Sequence, residues 1–551
     1  MALEWAVGRA RGRNPYRLAD AVSSVGLGAL SQTSAVFTAG LRVGLYALVH
    51  EHAALWRNDG FWLGVPGWLL ALLFYDFCYY WNHRLGHEVA VLWAAHVVHH
   101  QSQDYNLSTA LRQPSTYALL NWLFYLPMAL AGVPPLVFVV VGLVDLLYQF
   151  WVHTGQVGRL GWFDRWFCSP SNHRVHHAVN DRYVDRNYGG ILIVWDRLFG
   201  TFQDEDAREP CVYGTRGLLD SWDPLWANAQ VYAGLARDSW HARRWSDKMR
   251  VWLKPPGWRP ADVARRFPKP AFDIRQPLFD PPMGRALRGF VAVQSVLLLA
   301  GVAAFLWRAD AEPLAVNAVC FAALVACQWA LGAAMQGRVG LWAALTVQAA
   351  ALSTATGALG LVPWHGVFKP LAMVFAIVWV AASARQISAG GRFGLKLLLM
   401  ALLASLAGDV FLMAQGFFIP GLAAFLLAHL AYIALFKQGR RWFPHKGALL
   451  ATLAVGAGMY AFLWHGGLPA ALRAPVAAYV LAIALMAAQA LGSGSRMAAA
   501  GALFFMLSDA LLATNRFVAP LPLAPFWVLA TYYAAQCLIV GGWLARRREP
   551  A

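Results

Sequence analysis

Charge is scarce in this sequence. Only 13% of its 551 residues are Asp, Glu, Lys or Arg, against 59% hydrophobic residues, and the mean hydropathy is +0.46. A soluble chain of this length needs far more polar surface, so the composition is that of a membrane protein with many spans. Acidic residues are scarcer than basic ones, 28 against 45, which leaves a formal net charge of +17. The Lys and Arg residues are spread over loops and the N-terminus with few dense runs. That pattern speaks for cytoplasmic anchoring against anionic lipid and against nucleic-acid binding. Cysteine is rare too: Cys78, Cys168, Cys211, Cys320, Cys327 and Cys537 are scattered without a CxxC pair, pointing to neither a disulfide framework nor a thiolate metal site. No GxGxxG or flavin signature is present to supply electrons internally. Arg9, Arg11, Arg13 and Arg17 crowd the N-terminus, but no apolar core follows at signal-peptide distance and no cleavage site stands out. The first span is expected to serve as an uncleaved anchor.

What is abundant is apolar length. Runs near 34–56, 61–81, 116–133 and 134–151 each approach the ~20 residues that a bilayer requires. A polar, Arg- and Trp-rich stretch from 152 to 287 reads as a cap, and its end, KPPGWRP and FPKPAFDIRQPLFDPPMG, is Pro-rich like an extended linker. Beyond it, ten further spans are expected near 289–307, 313–335, 339–360, 369–385, 395–414, 421–437, 447–464, 474–491, 497–514 and 524–544. The resulting fold class is all-α and polytopic, with about 14 spans. Residues 1–287 form a four-span domain with a cap, and residues 288–551 form a multi-span helical bundle. Basic residues fall largely in alternate loops: Arg84 and Arg112, the 152–287 region, Arg338, Arg385 with Arg392, KQGRRWFPHK, Arg496 and the tail ARRRE, with Arg308, Lys369, Arg473 and Arg516 as exceptions. That bias places the N-terminus on the cytoplasmic side, in the cell (inner) membrane if the source is bacterial.

Histidine is concentrated. His83 and His87 are four apart; His96, His99 and His100 are spaced three and four; His173, His176 and His177 repeat that spacing, so eight of sixteen histidines fall in three clusters. On a helix, i, i+3 and i+4 share one face, so each cluster is expected to aim its imidazoles at one point. The charge bias puts the loops that carry them on the cytoplasmic face. Neutral imidazole suits first-row transition metals, and eight ligands are too many for one ion. Two metals are expected; a structural zinc site or ordinary interfacial histidines are the alternatives. His153, in QFWVHTG, reads equally well as a further ligand or as a satisfied helix-end histidine.

HRLGH, HVVHH and HRVHH resemble the three histidine boxes of the fatty acid hydroxylase/sterol desaturase superfamily of integral-membrane non-haem di-iron enzymes. The longer stretches HEVAVLWAAHVVHHQSQDYNLSTALRQ and SPSNHRVHHAVNDRYVDRNYGGILIVWDRLFGTF resemble its alkylglycerol monooxygenase branch, over roughly residues 30–210. The resemblance implies that the eight box histidines hold two iron ions and that His153 is a ninth ligand or supports one. It also implies dioxygen, an external reductant (tetrahydrobiopterin or a small redox protein) and a lipid substrate entering from the bilayer. The implied reaction hydroxylates the CH₂ beside the oxygen of a glyceryl ether, and the product collapses to a fatty aldehyde and glycerol. Glu88, Asp104, Tyr105, Asn106, Tyr188, Trp195 and Asp196 match as supporting or substrate-contacting residues. The chain departs where the family often has Glu at the positions of Gln103 and Gly155, and His at that of Asn172.

The second half carries ionisable groups inside its expected spans: Asp409 in LLASLAGDVFLM and Asp509 in LFFMLSDALLA. Each costs a few kcal/mol on insertion scales, and such residues mark function or a structural pair. Lys369, His429, Tyr432, Asn515 and Arg516 are the other polar candidates. FKPL, LAGDVFLM, FLLAHLAYI and SDALLATNRF resemble the YhhN family, whose animal members are lysoplasmalogenases, eight-span hydrolases of vinyl ethers. The resemblance covers roughly 320–545 and implies Asp409 and Asp509 as the catalytic pair. The joint expectation is a bifunctional ether-lipid-degrading membrane enzyme. The alternative is a sterol, fatty acid or carotenoid hydroxylase or desaturase with a lipid-binding or transporting C-terminal domain.

Overall fold

The computed structural model describes residues 1–547, so Arg548 and Glu549 of the basic tail lie outside the described residues. Its regular structure is helical, with isolated bridges Phe167–Leu192 and Ala178–Tyr213 and no strand among the described residues. The backbone separates into two compact units, Met1–Asp310 and Ala311–Ala551. Helix Arg285–Arg308 packs on helix Leu18–Ala35 and belongs to the first unit.

In the first unit, Gly64 and Pro66 open helix Val65–Glu88, because proline tolerates the first turn, where its missing N–H is not needed. The helix runs seven residues past the expected span end at 81 and carries His83 and His87 on its last turns. It packs with helices Ala39–Ala53 and Pro135–Val152 around Tyr46, Trp62, Ala71, Met128 and Phe138. Helix Ala90–His96 and the 3-10 turn Val97–His100 follow directly. The third box lies on helix Pro170–His177, where the Ser169 side chain accepts from Asn172 N and Pro170 sits in the first turn. Ser169 thereby meets one of the open backbone donors at the helix start.

Ten helices among the described residues are long and apolar enough to cross a membrane, fewer than the sequence reading expects. The expected span 34–56 is interrupted after Ala35, leaving helix Ala39–Ala53 with only 15 residues. The expected span 116–133 breaks into 3-10 turns Tyr117–Leu119 and Asn121–Tyr125 and helix Leu126–Ala131. Pro127 cannot extend a helix that precedes it, and Gly132 turns left-handed at φ 93°. Helix Val65–Glu88 carries Tyr75, Asp76, Tyr79, Tyr80 and Asn82, and helix Leu341–Ala358 carries Thr346, Gln348, Ser353, Thr354 and Thr356. Both are helices, yet too polar for that set.

The second unit runs from helix Leu314–Met335 through Leu341–Ala358, Val362–Ala382, Arg392–Met413, Phe418–Lys437, Lys446–Gly466, Arg473–Leu491 and Arg496–Phe517 to Ala524–Arg547. Lipid offers no backbone partners, so a helix that meets its own hydrogen bonds is the stable solution. Lipid also removes the hydrophobic drive between helices, leaving close packing to hold them. Ala372, Ala401, Ala487, Ala502 and Ala535 are accordingly buried to the backbone, and a Cβ on Gly501 would lie 2.8 Å from Ala535 O.

One close approach bears directly on the histidines. A Cβ on Gly28 would lie 2.1 Å from Leu111 O, so helix Leu18–Ala35 touches the segment that follows the second box backbone to backbone. Gly28→Ala is expected to destabilise the protein by about 1–3 kcal/mol, as overpacking does. Gly234→Ala, where a Cβ meets nothing within 4 Å, is expected to be neutral or mildly stabilising. Thermal unfolding of the full chain in detergent checks the contrast.

Candidate functional site

Nine histidines gather in the first unit as two groups. His83, His87, His96, His100 and His176 form one, and His99, His153, His173 and His177 the other. The candidate ligand atoms of each group lie within 4.8 Å of one another, and all nine residues are buried. This corrects the expectation that each box aims at a single point. At 3.6 residues per turn, i+4 lies about 40° from i on one side and i+3 about 60° on the other. Box two therefore straddles both groups, with His96 and His100 in one and His99 in the other, and box three does the same with His173 and His177 against His176. His153, at the end of helix Pro135–Val152, completes the smaller group.

The outer nitrogens show which protons the rings carry. His83 Nδ1 lies 2.8 Å from Tyr188 O, His99 Nδ1 3.0 Å from Arg112 O, His153 Nδ1 2.8 Å from Gln149 O and His176 Nδ1 3.0 Å from Arg186 O. A carbonyl only accepts, so each Nδ1 carries hydrogen and each Nε2 of a neutral ring presents a lone pair. His153 Nε2 lies 3.1 Å from His99 Nε2 and 3.0 Å from His173 Nε2. The first contact sets two lone pairs face to face. Among the described residues, His83, His87 and His176 Nε2 are buried without a hydrogen-bond partner. A cation at the centre of each group answers both features. Burial first, then the neighbouring rings, holds His96, His100, His173, His176 and His177 below the ordinary histidine value. His99 is lowered to about 4, chiefly by burial. These six rings are thus neutral and able to ligate at neutral pH.

The other residues singled out in this unit take varied places. Glu88 turns away to accept from Arg84 Nε at 2.9 Å. Asp104 takes Arg17 Nε on both oxygens at 3.0 Å. Tyr105 donates to Val152 O at 2.9 Å and lays its ring beside His153 and His177. Asn106 caps helix Leu107–Leu111. Tyr188 supplies its carbonyl to His83, its ring packs against His87, and its phenolic oxygen has no partner among the described residues. Asp196 accepts from Tyr188 N at 2.8 Å and Gly189 N at 2.7 Å, fixing that carbonyl, while Trp195 donates to Asp76. Gln103 accepts from Phe279 N, and Asn172 donates to Asp164 O and Phe167 O. Sequence reasoning missed Arg112, fully buried with its guanidinium on Val98 O and its carbonyl on His99. It missed Gln149 and Arg186 as well. Each orients a histidine through its backbone, which leaves no mark on residue type.

In the second unit a cavity of about 490 Å³ is walled by apolar side chains. Lys369, Asp409, Tyr479, Asp509, Arg516 and Tyr532 are its notable polar members. Asp409 Oδ1 lies 3.5 Å from Lys369 Nζ, and its Oδ2 accepts from Tyr532 at 2.7 Å. Asp509 Oδ2 accepts from Tyr479 at 2.6 Å, and His429 Nε2 lies 3.0 Å from that hydroxyl and 3.5 Å from the carboxylate. The fold thus brings Lys369, Asp409, Asp509 and His429 together. Tyr432 stands apart, donating to Gln536, and Asn515 accepts from Leu521 N at the helix end. Tyr479 and Tyr532 were missed; nothing local separates them from the other tyrosines, 18 in all.

Two outcomes follow for the histidine groups. His153→Ala removes one of four nitrogens from the smaller group, and elemental analysis is expected to show metal content falling by about half, with the larger group retained. Between pH 6.5 and the value of about 4 for His99, the unfolded chain binds more protons than the folded one. Stability therefore rises with pH across that window, and acidification from 6.5 toward 4 is expected to lower the melting temperature and release metal together.

Comparison with known proteins accords with this division. The fatty acid hydroxylase family matches residues 68–201 and the YhhN family residues 364–543. The chain is 36% identical to alkylglycerol monooxygenase of Homo sapiens over 53% of its own length and 64% of that protein. It is 36% identical to that of Xenopus tropicalis over 54% and 67%. To lysoplasmalogenase TMEM86B of Sus scrofa it is 38% identical, over 32% of its length and 74% of the relative. The chain thus spans about two thirds of the length of the curated monooxygenases it matches. No solved structure matches it. The chain belongs to the fatty acid hydroxylase family through its histidine-bearing segment and to the YhhN family through its C-terminal helices.

Proposed function

We propose that the protein degrades ether lipids at two separate sites, releasing fatty aldehyde from glyceryl ethers at one and from lysoplasmalogens at the other. The observation that carries the first is the pair of facing imidazole groups, in a segment whose relatives are alkylglycerol monooxygenases. The all-nitrogen donor set suits first-row metals, and His83, His87, His96, His100 and His176 would hold one iron and His99, His153, His173 and His177 the other. Iron bound there supplies reductive activation of dioxygen, with electrons from an external donor, and oxygenation of the CH₂ beside the ether oxygen. The chain's own part is orientation. Backbone carbonyls of Arg112, Gln149, Arg186 and Tyr188 hold four rings with their lone pairs inward. Asp196 and Trp195 brace the Tyr188 loop, and Tyr105 packs against the smaller group. The bias of Lys and Arg toward the loops around it supports a cytoplasmic position for this site.

The second site rests on two carboxylates facing an apolar cavity, in a segment whose relatives are lysoplasmalogenases. Asp509, in a row with Tyr479 and His429, delivers a proton to the vinyl-ether carbon. Asp409, facing Lys369, stabilises the cationic carbon that results. Water adds to that carbon, and loss of the glycerol oxygen as an alcohol yields the aldehyde. The division of labour parallels that of a glycosidase acid and stabiliser.

Purified protein given alkylglycerol or lysoplasmalogen, with oxygen and reductant supplied or withheld, tests both halves. Oxygen-dependent aldehyde is expected from the first substrate and oxygen-independent aldehyde from the second. His99→Ala or His176→Ala is expected to abolish the first and spare the second. Asp409→Asn or Asp509→Asn is expected to cut the second by roughly 10²–10⁴-fold, the ordinary range for a general acid, and spare the first. Turnover of sterols, fatty acids or carotenoids with neither ether substrate consumed overturns the proposal.

A further inference from the structure

Every charged or hydroxyl-bearing side chain on the wall of the carboxylate cavity has a partner, with one exception. Lys369 faces Asp409, Tyr532 donates to Asp409, and Tyr479 donates to Asp509. Thr452 and Ser508 donate to the carbonyls of Leu449 and Val528. Arg516, in the last turn of helix Arg496–Phe517, forms no hydrogen bond or ion pair among the described residues. Its guanidinium carbon stands 4.0 Å from the centroid of the Phe418 ring and 5.8 Å from that of Phe517. Attraction to an aromatic face holds the charge in place without neutralising it, and it leaves the donors at the edge of the planar group free. Arg516 also departs from the loop bias, so anchoring against cytoplasmic lipid does not account for it. We propose that Arg516 binds the phosphate of a vinyl-ether lipid and so sets the direction in which that lipid lies in the cavity. The inference rests on the reading of this cavity as the vinyl-ether site.

Spacing on helix Arg496–Phe517 fits such a ligand. Asp509 and Arg516 are seven residues apart, so they share one face and stand ~10 Å apart along the axis. In a lysoplasmalogen, seven bonds separate phosphorus from the vinyl carbon that takes the proton. An extended chain gains ~1.2 Å per bond, about 8 Å in all, which lets that carbon meet Asp509 while the phosphate meets Arg516. The cavity continues beyond Asp509. Its wall on helix Lys446–Gly466 runs from Leu463, in one cluster with Phe517, to Ala451, ~18 Å of helix. Ala451 and Leu503, six residues before Asp509, wall the end away from Arg516 with apolar side chains. The alkenyl chain fits there and the phosphate fits the Arg516 end. Reversed, the chain would meet the unneutralised charge and the phosphate an apolar space, which is costly. Guanidinium donors match phosphate oxygens two at a time. The apolar remainder of the wall commits the ligand to a lipid phosphate, since a free phosphate would leave that wall uncovered.

Hydrolysis by the full-length protein in phosphate-free detergent, with oxygen and reductant withheld, tests this. The substrates are an alkenyl glycerophosphoethanolamine and the matching alkenylglycerol, which lacks the phosphate. The wild type is expected to favour the first by about tenfold or more in kcat/KM, the worth of one charge-assisted contact. R516Q is expected to bring that ratio close to one, and R516K to leave it between the two. A ratio measured within one preparation does not depend on the fraction folded. Titration calorimetry with lauroyl lysophosphatidylethanolamine and monolauroylglycerol, which carry no vinyl ether, reads the same contact without turnover. R516Q is expected to weaken binding of the phospholipid by about tenfold or more. Phosphate-selective binding that depends on Arg516, without vinyl-ether hydrolysis, overturns the enzymatic reading of the cavity and upholds the anchor. Vinyl-ether hydrolysis with no phosphate preference, or with the wild-type ratio kept in R516Q, overturns the anchor and upholds the enzymatic reading. Neither hydrolysis nor phosphate-selective binding overturns both.

Discussion

The constraint on which the N-terminal unit depends is the mutual approach of imidazole nitrogens in a buried space. Burying a polar atom without a partner is costly, and two lone pairs about 3 Å apart add repulsion. A positive charge at the centre of each group would offset both. The surrounding fold reads as the apparatus for that arrangement. Carbonyls outside the cluster take the Nδ1 protons, and the loop through Tyr188 is held by the Asp196 carboxylate. Carbonyls do the orienting, so Arg112, Gln149 and Arg186 act on the histidines through backbone path, which the buried Arg112 guanidinium on Val98 O and the Gln149 amide between Tyr79 and Asp145 help to fix.

The C-terminal unit solves a different problem with the same economy of polar groups. Its helices pack through alanine and glycine, and the few charged side chains inside it are each given a partner. Asp409 has Lys369 and Tyr532; Asp509 has Tyr479, with His429 behind. Paired in this way, the carboxylates face an apolar cavity of about 490 Å³, large enough for part of a lipid chain. In the function proposed above, an acid held against such a space would protonate a substrate carbon with little competition from bulk water.

Much of this was legible in the sequence. The helical class, the histidine boxes and the intramembrane aspartates all show in residue type and spacing. The misreadings share one cause: they concern how a local pattern is used by distant chain. Residues 116–133 are apolar enough for a span, yet Pro127 and the left-handed Gly132 divide them. His96, His99 and His100 share a short stretch of helix, yet their side chains diverge to two different partners. Glu88 adjoins the first box but pairs with Arg84, one turn back on its own helix. Tyr479 and Tyr532 carry no local signal, because a tyrosine in an apolar helix looks alike whether it packs or donates.

The sequence by itself determined that the chain lives in a membrane, that it is helical, and that imidazole and carboxylate chemistry are concentrated at particular positions. Composition and periodicity are local quantities, and each residue contributes to them regardless of where the chain goes next. Only the tertiary structure decided that the three boxes interleave into groups of five and four, that His153 completes the smaller group, and that tyrosines from distant helices reach Asp409 and Asp509. Those outcomes depend on which faces of separate helices meet. Close packing sets those meetings across hundreds of residues, beyond the reach of any local pattern.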